Sequence, residues 1–140
     1  MHKRRHYLED LQAQLQTLPG FGGVWIQRNA PGKNMWPAIT VFCETETAQR
    51  IMIHPASILD RIATVSIVVW VRGVQDDEKI ETDFDTHAEA IESLLVTPTG
   101  ALDFYLVATS FNFSEDDPEI NALTLTYALQ YESVERSPAY

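Results

Sequence analysis

The chain has 140 residues, of which 45% are hydrophobic and 21% charged, the composition of one globular domain that folds around its own core. Twenty acidic against ten basic residues give a formal net charge of −10. This charge excludes nucleic-acid binding through the overall field, because phosphate contacts need clustered Lys and Arg. Cys43 is the single cysteine, which excludes an internal disulfide, and no apolar run approaches the ~18 residues of a membrane span.

The first predicted element is an amphipathic helix over residues 4–17. Its apolar positions recur at spacings of three and four: Tyr7, Leu8, Leu11, Leu15 and Leu18. The stretch "LPGFGG" ends the helix because Pro19 and Gly20 are helix breakers. The basic start before the helix, "MHKRRH", leads into no apolar segment, so we expect no signal peptide.

Two short strands are predicted next, over 24–28 and 36–44, separated by the turn-rich loop "NAPGKN". Residues 45–60 then fit either a strand or an extended arm, and we treat them as an arm, because a long, partly apolar connection in a small domain is often functional. The strongest strand covers 61–73. Its alternation places Val65 and Ile67 on one face, and Val68 and Trp70 on the other.

A second helix, two more strands and a tail complete the chain. An apolar stripe at helical spacing reaches residue 95: Ile80, Phe84, Ala88, Ile91, Leu94 and Leu95. Strands follow over 103–113 and 121–132. The second of these alternates strictly between large apolar residues, such as Leu125 and Tyr127, and residues such as Thr124 and Thr126.

These elements predict an α+β fold, with a mostly antiparallel sheet of about five strands covered by two helices. The order is α-β-β-(arm)-β-α-β-β. We expect residues 1–140 to form a single domain with its core over about 4–132, a short basic start and a flexible C-terminal tail.

No catalytic, cofactor-binding or metal site is predicted. The chain has no G-x-S-x-G nucleophile elbow, and neither "GFGG" nor "APGKN" has the context of a nucleotide-binding loop. His2 and His6 are four residues apart but have no carboxylate or thiol ligand near them in sequence. The acidic clusters lack the alternating ligands and the glycine of a calcium loop.

The remaining signal is a surface for other proteins. Large apolar side chains on the polar side of a strand, or in a partly apolar arm, are typical of protein–protein interfaces. We therefore predict a subunit or tube interface formed by eight residues: Arg50, Ile51, Met52, Ile53, Val68, Trp70, Thr124 and Thr126. The competing interpretation is that helices cover both faces of the sheet and bury the strand residues.

The chain resembles the tail terminator family of long-tailed, lambda-like bacteriophages. The resemblance rests on "HYLEDLQAQLQTL", "WPAITVF", the long connection into "IATVSIVVWVRG", the helix "TDFDTHAEAIESLL" and the closing "FNFSEDDPEINALTLTYALQYE". It covers residues 4–132 in the same order and at similar spacing. These are patterns of apolar residues and loop placement, and the "HKRR" start and the "SVERSPAY" end depart from the family.

The resemblance implies a structural protein with no enzymatic activity and no cofactor. Its copies would form a ring, of six subunits in this family, on the end of a finished tail tube, stopping tube growth and offering a surface to the head–tail connector. The protein would be assembled in the host bacterial cytoplasm and remain in the virion tail. Six copies would carry 6 × −10 = −60 formal charges around a channel through which DNA passes without specific binding.

Acidic side chains are expected to line that channel, since positive charge would make the duplex adhere. The candidates lie in two loops: Asp76, Asp77, Glu78, Asp116 and Asp117. Other interpretations stay open. The chain fits another head–tail joining or neck protein, a small α+β enzyme or ligand-binding domain using His54 and His87, or a cellular adaptor with an acidic surface.

Overall fold

The architecture is a five-stranded sheet with both helices on one side. The computed structural model describes residues 2–52, 57–72, 77–113 and 120–135. Its elements are α1 (Lys3–Leu15), β1 (Val24–Ile26), a 3-10 turn (Lys33–Met35), β2 (Ala38–Met52), β3 (Ser57–Arg72), α2 (Asp77–Leu94), β4 (Asp103–Phe113) and β5 (Ile120–Glu135). The strand order is β1-β2-β3-β5-β4, and β1–β2 is the parallel pair in an otherwise antiparallel sheet. The predicted α+β class is confirmed.

Helix α1 begins where His2 caps it and ends before a glycine-containing turn. The His2 Nδ1 atom accepts a hydrogen bond from the Arg4 amide at 3.0 Å, which satisfies one of the unpaired donors of the first turn. Gly20 then adopts φ +88°, a backbone conformation that residues with a Cβ atom rarely adopt. The apolar stripe of α1 is buried as its spacing predicts, through Leu11 and Leu15 above all.

Strands β3 and β5 form the centre of the sheet and supply most of the core. Alternate residues of these strands point towards the helices, as in the register pairs Ile67–Leu125 and Val65–Tyr127. Helix α2 completes the layer with the buried residues Ile80, Phe84 and Ile91, which confirms its predicted stripe. None of the described helices has the length and apolar character that crossing a membrane requires.

The predicted arm is mostly strand, and the expectation of a free connection is wrong for residues 45–52 and 57–60. Strand β2 continues to Met52 and pairs with β3 down to the register pair Met52–Ile58. The reason lies outside the segment. Strand β5 runs on to Glu135 and pairs with the first half of β3, so the hairpin is part of a three-stranded sheet that is far more stable than a two-stranded ribbon.

Candidate assembly surface

The face of the sheet opposite the helices is the candidate functional surface, and we call it the open face. Its residues are the alternate positions that do not join the helical core. One row of register partners crosses four strands, from Thr40 through Val68 and Thr124 to Ser110. A neighbouring row contains Ser66 and Thr126. The residues predicted on one face of β3 and β5 are therefore brought together.

Val68 is not available on this face, which corrects the sequence-based expectation. Its side chain is only 6% exposed, because Val68 lies in a central strand between Thr40 and Thr124. The indole Nε1 of Trp70 donates a hydrogen bond to the Thr40 hydroxyl at 2.9 Å. The hydrogen bond therefore holds the ring of Trp70 near Thr40 on β2, which is the register partner of Val68.

The loop between β1 and β2 covers the same end of the open face. Trp36, just before β2, lies with its ring centroid 5.9 Å from that of Trp70. Its indole Nε1 donates to the Pro31 carbonyl at 3.0 Å, within the loop. Trp70 is half-buried as a result. At this end the open face is protected by the chain itself.

Exposed apolar side chains lie towards the other end of the open face. Ile62, Tyr105 and Val134 are between 39% and 61% exposed. Their register partners Gln130, Ala128 and Ile58 place all three on the open face. Large apolar side chains grouped on a sheet face without a covering helix are a typical feature of an interaction surface.

Two polar side chains on the open face, Gln130 and Ser66, already have partners within the chain. The Gln130 side-chain amide donates to the Asp60 carboxylate at 3.0 Å, and the Ser66 hydroxyl donates to Glu44 Oε2 at 3.1 Å. Covering a group that is already hydrogen-bonded costs less than covering one that depends on water. The Gln130 amide and the Ser66 hydroxyl would therefore keep a hydrogen-bond partner if another protein covered the open face.

A charged cluster around Glu46 fastens the other side of the sheet to α1. Glu46 Oε2 accepts from Arg4 at 3.0 Å and from Arg61 at 2.9 Å, while the Tyr131 hydroxyl donates to Oε1. Arg61 also donates from Nε to the Ser133 hydroxyl at 2.6 Å. The cluster joins one helix to three neighbouring strands.

The ionisation of this cluster follows from its contacts. Burial alone would raise the pKa of Glu46, but the hydrogen bonds from Tyr131 and Arg61 and the positive charges of Arg4 and Arg61 outweigh it and lower the pKa. Burial and the adjacent Glu46 carboxylate together raise the pKa of Tyr131. A carboxylate with both oxygens occupied by partners in the chain is suited to anchoring α1.

Three further interface candidates, Arg50, Ile51 and Met52, lie at the end of β2. Arg50 and Ile51 belong to the last part of β2, and Ile51 is 53% exposed beside a register shift in the ladder. Met52 is the last residue of β2. Ile53 lies outside the described residues. The predicted contact at this end of β2 stays a prediction.

The acidic candidates for the channel are divided between helix and undescribed segments. Asp77 and Glu78 are the first two residues of α2, where negative charge is favourable at the positive end of the helix dipole. Asp76, Asp116 and Asp117 lie outside the described residues. Further along α2, Glu81, Asp85, Glu89 and Glu92 are all exposed.

Two of the three histidines in the described ranges, His2 and His87, make contacts within the fold, while His6 is exposed. His2 caps α1 through Nδ1. His87 packs its ring against Phe21 with centroids 5.0 Å apart, and burial lowers its pKa against the opposing charge of Asp83. Across the described residues, no three His, Cys, Asp or Glu side chains form a group that could hold a metal ion. His54 lies outside those residues.

Three exposed residues of the open face were missed by the sequence analysis. Ile62 lies on the polar side of the β3 alternation, which was a usable signal, and Tyr105 lies on the same face of β4, in the neighbouring row with Ala128 and Thr64. Val134 lies beyond residue 132, the predicted end of the last strand. It joins the surface because β5 continues to Glu135.

Comparison with known proteins finds the fold but no sequence family. No protein-family model matches the chain, and no curated protein matches its sequence. Among solved structures, a chain of the virion of a native gene transfer agent particle matches with a TM-score of 0.57 and 12% identity. The match covers 93% of this chain and 97% of that chain. This protein therefore has the fold of that virion chain over nearly the full length of both.

Proposed function

We propose that the protein is a structural component of a phage-like virion, which forms a ring on the end of a tail tube. The ring would end tube polymerisation and provide the surface for head attachment. The observation that carries the proposal is the fold shared with a gene transfer agent virion chain over 93% of this chain. The resemblance of the sequence to tail terminators supports the tail position, the hexameric ring and the tube and connector partners.

The open face supports an assembly role. Ile62, Tyr105 and Val134 are exposed on a sheet face that carries no described helix. Burying apolar surface contributes roughly 25 cal/mol per Å², so these side chains favour contact with another protein. The Gln130 amide and the Ser66 hydroxyl on this face are hydrogen-bonded within the chain, which lowers the cost of covering those two groups.

The charge supports passage of DNA through such a ring. The chain carries a formal charge of −10, and four exposed acidic residues follow one another along α2 from Glu81 to Glu92. Clustered Lys and Arg would hold the phosphate backbone, whereas an acidic surface repels it. The acidic candidates Asp76, Asp77, Glu78, Asp116 and Asp117 are proposed to face the channel.

The proposal assigns the protein no catalytic reaction. Glu46, a described carboxylate whose pKa is lowered, binds Arg4, Arg61 and Tyr131. Those contacts attach α1 to the sheet, which is a structural task. The partners proposed are further copies of the chain, the tail tube protein and the head–tail connector.

Native mass spectrometry over a concentration series tests the ring. One subunit has a mass of 15.9 kDa, so a hexamer has a mass of 6 × 15.9 = 95.4 kDa. The variant Ile62→Asp places a charge on the open face and should remove the 95.4 kDa species while the monomer stays folded. Val96→Asp changes an exposed residue of the α2–β4 loop and is the matched control.

A tube assay tests the position in the particle. Tube protein polymerised with the wild-type chain should give tubes of restricted length with a ring at one end, and Ile62→Asp should not restrict them. A hexamer that leaves tube length unchanged would favour another head–tail joining protein. A stable dimer would contradict the ring, because an isologous pair uses the surface that a ring needs.

A further inference from the structure

Strand β4 is an edge strand with few contacts inside its own chain. It pairs with β5 on one side only, at the end of the strand order. Of its side chains from 103 to 112, only Phe104 and Leu106 are half-buried, and the others are exposed. Tyr105, Val107 and Phe111 are among the largest exposed apolar residues of the described chain.

This edge lacks most of the features that protect sheet edges. Natural edge strands carry lysines, prolines or inward-pointing charges that prevent pairing with another chain. The sequence of β4, "DFYLVATSFNF", contains one charged residue, Asp103, at its start, and no Lys, Arg or Pro. A register shift at Val107 is the one irregularity in its pairing with β5. Among the described strands, none pairs with the outer N–H and C=O groups of β4, which leaves them able to pair with a strand of another chain.

The same sheet has a second free edge, along the outer half of β2. Strand β1 pairs with β2 only from Ile39 to Val41. Beyond Cys43, whose carbonyl accepts from Arg28 at 2.9 Å, no described strand lies on the outer side of β2 up to Met52. The two free edges are on opposite sides of one sheet and are similar in length.

Strand direction makes these two edges compatible. β2 and β5 run in one direction, and β3 and β4 run in the other. When copies are related by rotation about an axis along the strands, β4 of one copy meets β2 of the next in antiparallel orientation. Antiparallel pairing is the more stable arrangement per residue, and a head-to-tail contact that closes forms a ring.

We propose that β4 of one subunit pairs antiparallel with the outer half of β2 of the next copy, which joins their sheets into one continuous sheet around the ring. This inference rests on the proposed ring and names the contact that builds it. The open face then contributes through residues beside the joint. Tyr105 lies on β4 itself, and Ile51 lies near the end of β2.

The pairing has a definite stagger. Within one subunit, Asp103 of β4 pairs with Gln130, Gln130 pairs with Ile62, and Ile62 pairs with Thr47 of β2. Asp103 and Thr47 therefore lie in the same row across the sheet. Full overlap of β4 with the free part of β2 brings Asp103 level with Met52, a shift of about 52 − 47 = 5 residues. A stagger between neighbouring strands is what closure of a sheet into a cylinder requires. It also keeps β4 clear of β1.

Engineered disulfides test the pairing in the assembled protein. In a Cys43→Ala background, one new cysteine is placed on β2 at Thr45, Thr47 or Gln49 and one on β4 at Ala108, Ser110 or Asn112. All six side chains are exposed, and directly opposite residues in a non-hydrogen-bonded pair of adjacent strands come close to the Cβ spacing that a disulfide needs. After oxidation, at least one double variant should give a covalent ladder up to the hexamer on non-reducing gels.

Single-cysteine variants and a displaced cysteine are the controls. Ala108→Cys alone should give no cross-link, and a covalent dimer from it would mean that β4 pairs with β4 of a two-fold related copy, which would overturn the proposal. Thr47→Cys combined with Thr124→Cys, in the interior strand β5, should give no ladder. Hexamers in which none of the nine β2–β4 pairs cross-links would overturn the pairing while leaving the ring intact.

A lysine on the edge gives an independent test. Val107→Lys adds the charge that protected edges carry and should abolish the 95.4 kDa hexamer while circular dichroism of the monomer stays unchanged. Val96→Lys makes the same change at a residue of similar exposure, 65% against 60%, and should leave the hexamer intact. Hexamers of Val107→Lys would overturn the inference. A wild-type chain that stays monomeric would overturn the ring and the pairing together.

Discussion

The hydroxyl of Tyr131 donates a hydrogen bond to the carboxylate of Glu46 and so connects β5 to β2 across the intervening strand β3. Arg61 of β3 and Arg4 of α1 bind the other oxygen of the same carboxylate. One carboxylate therefore holds together the helix and the three strands that extend towards the hairpin. Its removal should affect the stability of the whole sheet.

The variant Glu46→Gln should lower the free energy of unfolding by about 1–3 kcal/mol, because it leaves Arg4 and Arg61 beside a neutral group in a partly buried site. Urea unfolding at pH 7 measures this change. Glu9→Gln is the matched control, since the ion pair between Arg5 and Glu9 is exposed and such pairs contribute about 0.5 kcal/mol or less. Equal losses in the two variants would contradict the anchoring role.

The contribution of Glu46 should disappear at low pH. Its pKa in the folded protein lies below the ordinary value of 4.5, so its stabilisation is fully present above the unfolded pKa and is lost as pH falls through the folded pKa. The difference in unfolding free energy between wild type and Glu46→Gln should be constant above about pH 6 and shrink below pH 4.5. A free-energy difference between wild type and Glu46→Gln that grows as the pH falls would contradict this prediction.

Phe84 should be the most costly residue to truncate on α2. Its side chain is completely buried in the core between α2 and the sheet, so Phe84→Ala should cost about 3–5 kcal/mol through lost transfer energy and the remaining cavity. Phe111, whose ring lies 5.6 Å from that of Phe84 and is half exposed, provides the same chemical change. Phe111→Ala should cost about 1 kcal/mol or less in the monomer, as measured by urea unfolding.

Trp70→Phe separates packing from hydrogen bonding at the covered end of the open face. The variant keeps an aromatic ring beside Trp36 but removes the donor to the Thr40 hydroxyl, which is completely buried. We expect a loss of about 1–2 kcal/mol in unfolding free energy. The double variant Trp70→Phe with Thr40→Val, which removes both partners, should recover part of that loss. Additive losses would mean that the bond contributes nothing.

Alkaline titration should detect the two buried tyrosines of β5, Tyr127 and Tyr131. Burial and the neighbouring charge of Glu92 raise the pKa of Tyr127 to about 12, and burial with Glu46 raises the pKa of Tyr131. A raised folded pKa contributes stability below the unfolded value of 10 that is lost as pH rises through the folded value. Absorbance at the phenolate band should therefore show a late phase that moves to lower pH in urea.

Local pattern was sufficient to predict most of the fold. The helical spacing of Leu11 and Leu15, and the alternation through Leu125 and Tyr127, correspond to buried faces in the structure. Both patterns follow from neighbouring residues along the chain, so no knowledge of the tertiary structure is needed to recognise them. The hairpin was harder, because Ile51 lies in a strand that depends on pairing with residues far along the chain.

The candidate surface was predicted only in part. The shared face of Trp70 and Thr124 follows from alternation, but the burial of Val68 depends on how Trp70 reaches across to Thr40. The place of Tyr105 on the open face depends on the strand order, and that of Val134 depends on the length of β5. Neither the strand order nor the length of β5 can be predicted from the local residue pattern of one strand.

The sequence by itself determined the α+β class, the helices, the strand faces and the absence of an internal disulfide, because these depend on residue spacing and composition. Only the tertiary structure decided that both helices lie on one side, that no described strand pairs with the outer edge of β4 or of the second half of β2, and that Glu46 meets Arg4, Arg61 and Tyr131. Those relationships join residues up to 85 positions apart, as Glu46 and Tyr131 are. Contacts at that separation arise from packing and strand order, which local periodicity does not encode.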